Sequence, residues 1–295
     1  MATLYTQASK NVQKTWLLMA TFFIVIIALG YIFSYVFNQP GILYFAVIFS
    51  IVMNFVSYWN SDKIALSLSG AKPASETEYP ELHNIVENLA ITAGLPKPKV
   101  YIINDPAPNA FATGRNKEHA AVAVTTGILQ VLDRTELEGV IAHELSHIGN
   151  RDILVSTVAV VLAGFVSILS NIFLRGLMFG GRNSDNENRG GGILAIVGIV
   201  LAILAPIFAS LIQLAVSRKR EYLADASGAL LTRYPEGLAR ALEKISAYSR
   251  PMIHQNQATA HLFIANPFGG KKISNLFSTH PPIEDRIRIL REMGR

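Results

Sequence analysis

The chain has 295 residues, of which 51% are hydrophobic and only 16% are charged, and its formal net charge is +5. A typical soluble domain is about 25% charged, so this composition excludes a disordered chain and disfavours an ordinary soluble globule. The absence of cysteine excludes disulfide scaffolds, thiol catalysis and cysteine-ligated metals.

The excess of basic residues lies at the C-terminal end. Residues 217–295 contain 13 Lys and Arg against 7 Asp and Glu. A basic segment beside apolar helices favours anionic lipid head groups as its partner, and we find no basic motif interleaved with aromatic residues. We therefore expect a lipid bilayer, and no nucleic acid, among the partners.

Two long apolar runs lie near the N-terminus. Trp16–Phe37 and Ile42–Trp59 flank the turn signal Asn38–Gly41, and each run is long enough to cross a bilayer. The first run is too long for a signal peptide and lacks a cleavage site. We predict a transmembrane hairpin. Lys10 and Lys14 precede it, and the positive-inside rule then places the N-terminus in the cytoplasm.

The next segment, residues 60–152, is polar enough to form a folded domain. Glu81–Thr92 has helical periodicity, and the short β-prone runs Val100–Ile103 and Ala120–Val124 predict strands of a small sheet. A further helix is predicted over Glu136–Asn150. Thr135 is its predicted N-cap, with Glu138 completing a capping box.

Two more apolar runs follow, at residues 153–174 and 191–216. Their length and lack of charge favour two further membrane spans, although polar residues such as Asn171 and Gln213 are also compatible with buried helices of a soluble domain. The predicted fold is a mainly α membrane protein with four transmembrane helices and an α+β catalytic domain. The predicted segments are a membrane hairpin (1–60), the first half of the catalytic domain (61–152), a second hairpin (153–216) and the second half of the catalytic domain (217–295).

The chemistry is concentrated in the sequence His143-Glu-Leu-Ser-His147, inside the helix predicted over Glu136–Asn150. Residues four apart share one helical face, so His143 and His147 can bind one Zn²⁺ together. Glu144 is rotated by about 100° from His143 and points beside the metal. There it can take a proton from zinc-bound water as a general base.

Zinc needs a third protein ligand, and the best candidate is Glu221. Asp225 lies four residues later on the same face, where it can accept a hydrogen bond from His143 or His147. Alternatively, each carboxylate simply pairs with a nearby arginine. Two predicted spans separate His147 from Glu221 and return the chain to the same side. Both residues lie within a few positions of a span, so we expect one zinc ion per chain near the membrane surface, and membrane-protein substrates.

These motifs together resemble those of the HtpX-type integral-membrane zinc metalloproteases of bacteria, relatives of the CAAX prenyl endopeptidases. The resemblance covers nearly the whole chain and rests on the following segments: PNAFATG (Pro108–Gly114), HELSHIGNRD (His143–Asp152), SRKREYLAD (Ser217–Asp225) and STHPPIEDRI (Ser278–Ile287). It implies that His143, His147 and Glu221 ligate zinc and that Glu144 is the general base. It also implies a gluzincin-like fold, a multi-pass protein of the bacterial inner membrane with a cytoplasmic active site, and cleavage of misfolded or damaged membrane proteins under stress.

Weaker candidates concern substrate binding. The strand predicted over Ala120–Val124 is either an ordinary sheet strand or an edge strand that pairs with an extended substrate, in which case Ala120, Val122 and Val124 line the groove. Asn109 either hydrogen-bonds near that groove or caps a turn. His280, in the matched C-terminal motif, either donates to the oxyanion of the reaction or packs a loop.

Three other functions compete with this prediction. A prenyl-protein endopeptidase would have a narrow C-terminal substrate, and such relatives generally have more spans. A non-enzymatic membrane scaffold with structural zinc would not need Glu144. A metal transporter would need its ligands inside the apolar runs, where they are not found. The oligomeric state is not indicated.

Overall fold

The structure is a computed structural model that describes residues 4–165, 218–248, 250–256, 258–268 and 281–294. Four features of the sequence analysis lie outside the described residues. They are the end of the third apolar run, the Gly/Asn-rich segment, the fourth apolar run and His280. The helices, numbered in chain order, are α1 (Leu4–Phe37), α2 (Gly41–Leu68), α3 (Pro80–Thr92), α4 (Thr126–Val131), α5 (Arg134–Gly149), α6 (Asp152–Phe165), α7 (Arg218–Thr232), α8 (Pro235–Ala247) and α9 (Ile283–Met293).

The first two helices form the hairpin that the sequence predicts. The segment Lys10–Tyr35 of α1 and the whole of α2 are long and apolar enough to cross a membrane. Large apolar side chains such as Tyr35, Tyr44 and Phe45 point outward, as expected for surfaces that face lipid. Gly30 brings α1 against Ala46 of α2, because a Cβ at this position would lie 2.3 Å from the Ala46 Cβ.

The third apolar run begins as a buried helix. Within the described residues it forms α6, which packs against α1 through Leu154, Val158 and Leu162. Helices α5 and α6 meet at 84°, and among the described residues they count as a further candidate span only if they are taken together as one broken helix. Four spans therefore stay a prediction.

Among the described residues the small sheet has four strands, β1 (Ala71–Pro73), β2 (Lys99–Ile103), β3 (Ala110–Gly114) and β4 (Ala120–Thr125). Their order is β1-β2-β4-β3, with β2 and β4 parallel and the two outer pairs antiparallel. The predicted strands β2 and β4 are confirmed. Of the two alternatives for Ala120–Val124, the ordinary sheet strand is observed and the edge strand is wrong, because β4 pairs on both sides and β3 lies beyond it at the edge of the described sheet.

The N-terminus of α5 also differs from the prediction. The cap is Asp133, whose carboxylate accepts from the Glu136 backbone N–H at 2.9 Å, while the Glu136 carboxylate accepts from the Asp133 N–H at 2.9 Å. Thr135 instead donates its hydroxyl proton to Asp133 at 2.7 Å. The sequence Asp-Arg-Thr-Glu offers its own capping box two residues upstream, and a carboxylate accepts more strongly than a hydroxyl.

Helix α5 lies at the centre of the main core, and α7 crosses it at very short range. The contact is made at Gly228 of α7, where a Cβ would lie 2.9 Å from the His143 backbone N and 3.2 Å from the Ala142 carbonyl carbon. Only glycine allows the two backbones to come so close. This contact determines how far α7 stands from the face of α5 that carries the histidines.

Replacing Gly228 by Ala tests this contact. The added methyl group must push α7 away from α5, and overpacking of this kind costs about 1–3 kcal/mol, so we expect a lower thermal unfolding midpoint in detergent. Gly149→Ala is the matched control, because its added Cβ would lie 4.0 Å from the nearest atom, in Leu95. Gly228 lies inside α7 and Gly149 ends α5, so Gly228→Ala gains more helix propensity than the control, and a lower midpoint for Gly228→Ala is due to the contact. Equal midpoints would contradict this account.

Candidate active site

Helix α5 presents two imidazoles and one carboxylate to a buried cleft. His143 and His147 lie one turn apart, and their Nε2 atoms are 3.2 Å from each other. Glu144 lies between them in sequence, and it is only 2% exposed. Two imidazole nitrogens that face each other at this distance in a buried position are suited to share one cation.

Glu221, on the first turn of α7, completes the group. Its Oε1 lies 3.5 Å from His147 Nε2 and its Oε2 lies 3.8 Å from His143 Nε2. Within the described residues, these three side chains are the group in which all ligand atoms lie within 4.8 Å of one another.

The donor set fits zinc. In a tetrahedral zinc site with ligands at about 2.0–2.2 Å, the ligand atoms are about 3.3–3.6 Å apart. The 3.2 Å between the two imidazole nitrogens and the 3.5 Å from His147 Nε2 to Glu221 Oε1 are close to those values, and the 3.8 Å from His143 Nε2 is measured to the other carboxylate oxygen, Oε2. Two imidazoles and one carboxylate are also the ligands of catalytic zinc sites that keep a fourth position open.

His143 is oriented by a buried ion pair. Its Nδ1 lies 2.9 Å from Asp225 Oδ1, so the predicted role of Asp225 applies geometrically to His143 and not to His147. Arg286 of α9, which has no exposed surface, donates to both Asp225 oxygens at 2.7 and 2.8 Å. Burial alone would raise the pKa of the Asp225 carboxyl, but the Arg286 guanidinium outweighs it and holds that pKa below its usual range.

His147 is oriented by a second carboxylate, which the sequence analysis did not identify. Its Nδ1 lies 3.1 Å from Asp152 Oδ2. Asp152 is the first residue of α6, five positions after His147, and the bend between α5 and α6 turns it back toward the imidazole. Burial alone would lower the pKa of His147, but the carboxylates of Asp152, Glu221 and Glu144 raise it to about 9 in the metal-free protein. An acidic residue just after the helix that carries the two histidines was the available signal.

Glu144 is placed to act as a base. Burial raises the pKa of its carboxyl, against the opposing charges of His143 and His147. The carboxylate also accepts a hydrogen bond from the backbone N–H of Ala112, in the edge strand β3. A raised pKa brings a carboxylate closer to neutral pH, where it can both take up and release a proton.

A small, partly open cleft lies beside these residues. Its described lining combines the candidate site with residues from β3, α6, α7 and the segment 258–265, namely Ala112, Glu144, His147, Asp152, Ile153, Ser156, Arg220, Glu221, His261 and Leu262. Arg220 and His261 were not predicted as site residues. His261 donates from Nε2 to the Ser156 carbonyl at 3.3 Å, so it ties the segment 258–265 to α6 and also lines the cleft.

The predicted groove residues lie elsewhere. Ala120, Val122 and Val124 are buried in the interior strand β4 and do not line the cleft, so the prediction that they bind substrate is corrected. Asn109 is also buried and holds the segment 258–265 against β3. Its Nδ2 donates to the Ala265 carbonyl at 2.9 Å, and its Oδ1 accepts from the Ala265 N–H at 3.2 Å.

Comparisons with known proteins agree with this geometry. The model of peptidase family M48 matches residues 76–294, a range that contains every site residue named above. The chain belongs to peptidase family M48. A "Protease HtpX homolog" of Caldanaerobacter subterraneus is 51% identical over 296 residues, which cover 99% of this chain and 98% of that relative. Another, from Pyrococcus furiosus, is 52% identical over 283 residues, or 95% of each chain.

A solved structure shares the fold. The crystal structure of Ste24p from S. mikatae superposes with a TM-score of 0.50 at 19% identity, covering 89% of this chain and 62% of that one. The family and the relatives make this chain a membrane metalloprotease of the HtpX type, as the motifs indicate.

Breaking the buried ion pair should be costly. Arg286→Met leaves the Asp225 carboxylate buried without its partner, and such a loss destabilises proteins by about 3–5 kcal/mol. We expect a large drop in the thermal unfolding midpoint of the detergent-purified protein. Arg288→Met is the control on the same helix, because Arg288 is exposed and its pairs with Asp285 and Glu292 are worth about 0–1 kcal/mol. A similar drop in both variants would refute the importance of the buried pair.

Proposed function

We propose that this chain is a zinc-dependent endopeptidase that cleaves misfolded or damaged membrane proteins, and unfolded segments, at the cytoplasmic surface of the bacterial inner membrane. The observation that carries the proposal is the convergence of His143, His147 and Glu221 within 4.8 Å, beside the buried Glu144. The relatives named as HtpX proteases support the same function. The role in stress-related quality control is what the family resemblance implies.

His143, His147 and Glu221 would hold the ion, with Asp225 and Asp152 fixing the two imidazoles. A bound zinc ion supplies a Lewis acid, which polarises the scissile carbonyl and acidifies water. Glu144 would accept the proton of the attacking water at its carboxylate and then transfer it to the leaving amine. The raised pKa of Glu144 suits both halves of this transfer.

An extended substrate would be bound through its main chain. Within the described residues, strand β3 is an edge of the sheet, and Ala112 of this strand lines the cleft. At the Ala110 end, β3 is already covered, because the Ala110 carbonyl accepts from the Ile264 N–H at 2.9 Å. The Ala112 end is therefore where we propose that a substrate adds to the sheet.

The arrangement of α6 supports a site close to the membrane. This helix starts at Asp152, five residues after His147, and packs against the apolar face of α1. The site is built from both predicted halves of the catalytic domain, residues 61–152 and 217–295. With the N-terminus in the cytoplasm, as the positive-inside rule predicts, the site would face the cytoplasm at the level of the lipid head groups.

The replacement Glu144→Gln tests the base. We expect the variant to retain one zinc ion per chain, since Glu144 is not a ligand, and to lose cleavage of casein by a factor of at least about 10². Glu138→Gln is the control on the same helix, because Glu138 pairs only with the exposed Arg134 among the described residues. Turnover by zinc-loaded Glu144→Gln at the wild-type rate would refute the assignment.

If β3 binds the main chain of the substrate, blocking backbone amides of the substrate should slow its cleavage. N-methylation of a backbone amide next to the scissile bond removes one hydrogen bond, and we expect kcat/KM for a model peptide to fall roughly two- to tenfold for each methyl group near the cleft. Methylation of amides at the far end of the same peptide is the control. Equal effects at both positions would argue against strand addition.

A further inference from the structure

A polar side chain of the first membrane helix reaches the candidate metal site. Asn11 of α1 is only 1% exposed. Its Nδ2 donates to Asp152 Oδ1 at 2.6 Å and to the Asn150 carbonyl at 3.1 Å. These contacts join positions 139 and 141 residues apart in the sequence.

Both acceptors lie at the bend between α5 and α6. Asn150 is the C-cap of α5, and Asp152 begins α6 after Arg151, whose φ of +56° is in the left-handed region. The chain turns by 84° at this point. A single amide group thus holds the backbone on one side of the bend and a side chain on the other.

The same carboxylate contacts a candidate zinc ligand. Asp152 receives Asn11 at Oδ1 and the His147 Nδ1 at Oδ2, at 2.6 and 3.1 Å. The two oxygens of a carboxylate are rigidly coupled, so a donor that fixes Oδ1 also fixes the direction of Oδ2. Arg220 Nε lies 3.8 Å from Oδ1, beyond hydrogen-bond distance, so Asn11 is the closer donor to this oxygen.

We propose that Asn11 is a positioning residue for the metal centre, acting through Asp152 on His147. The inference rests on the proposed function, because it takes His147 as a zinc ligand. Hydrogen-bond partners of zinc-bound histidines keep the ring in the orientation that the metal needs, and losing one typically weakens metal binding by about 10–100-fold. The first membrane helix therefore contributes to zinc retention and is more than an anchor.

A purely structural role of Asn11 makes a different prediction. If the amide only tied α1 to the α5–α6 bend, its removal would lower the stability of the metal-free and the zinc-loaded protein alike. If it also positions His147, its removal accelerates zinc loss in addition to any loss of stability that the metal-free and the zinc-loaded protein share. The rate of zinc loss is therefore the decisive readout.

The experiment uses the full-length protein in detergent, loaded with one zinc ion per chain. The rate of zinc transfer to a chromogenic chelator is measured for wild type, Asn11→Leu and Thr15→Val, together with the unfolding midpoint of each metal-free protein. Leucine matches asparagine in size and lacks the donor. Thr15 is equally buried one turn along α1, and within the part of the chain that the structure describes its hydroxyl bonds only to the Asn11 carbonyl, at 2.9 Å, which makes it the matched control.

We expect roughly tenfold faster zinc loss for Asn11→Leu, and the wild-type rate for Thr15→Val. Asn11→Ala, which introduces no bulk, gives the same test if the leucine variant does not fold. Wild-type rates of zinc loss in the folded Asn11 variants, or equal acceleration in Thr15→Val, would overturn the inference. Failure of the wild-type protein to bind one zinc ion would instead overturn the proposed function.

Discussion

The approach of α5 to α7 is the contact on which the site depends. The histidines and Glu221 are separated by more than 70 positions in the sequence, and neither helix can form the site alone. Gly228 removes the side chain that would keep the helices apart, and the Asp225–Arg286 pair then ties α7 to α9 and to His143. One backbone contact therefore determines the distance between the ligands, and one buried ion pair fixes their orientation.

Charge balance gives a second reason why the site suits a divalent cation. The described side chains at the centre include four carboxylates and two guanidinium groups, those of Glu144, Asp152, Glu221, Asp225, Arg220 and Arg286. With neutral imidazoles, these six groups carry a net charge of −2, and Lys14, which interacts with Asp152, supplies one further positive charge. The carboxylates of Asp152, Glu221 and Glu144 raise the pKa of His147 against the effect of its burial, and burial raises the pKa of the Glu144 carboxyl.

The features that sequence predicted best are those encoded locally. The spacing of His143, Glu144 and His147 on one helix and the apolar hairpin follow from short-range periodicity, and the structure has both. Strand order could not be derived in this way. The placement of β4 inside the sheet depends on β3, a short strand of small residues with little β signal of its own. Asp152 was missed for a similar reason, since only the bend after α5 directs it back to His147.

The side chains that line the cleft limit how the protein could select its substrates. Most of its described lining is polar or charged, and the small side chain of Ala112 stands at the edge strand. Such a lining has few apolar side chains with which to select one residue type, whereas the backbone of β3 could pair with almost any extended chain. Under the proposed strand addition, selection would then come from access, because an edge strand meets segments that have lost their own pairing partners. Broad sequence tolerance and restriction to unfolded chains would both follow from that one mode of binding.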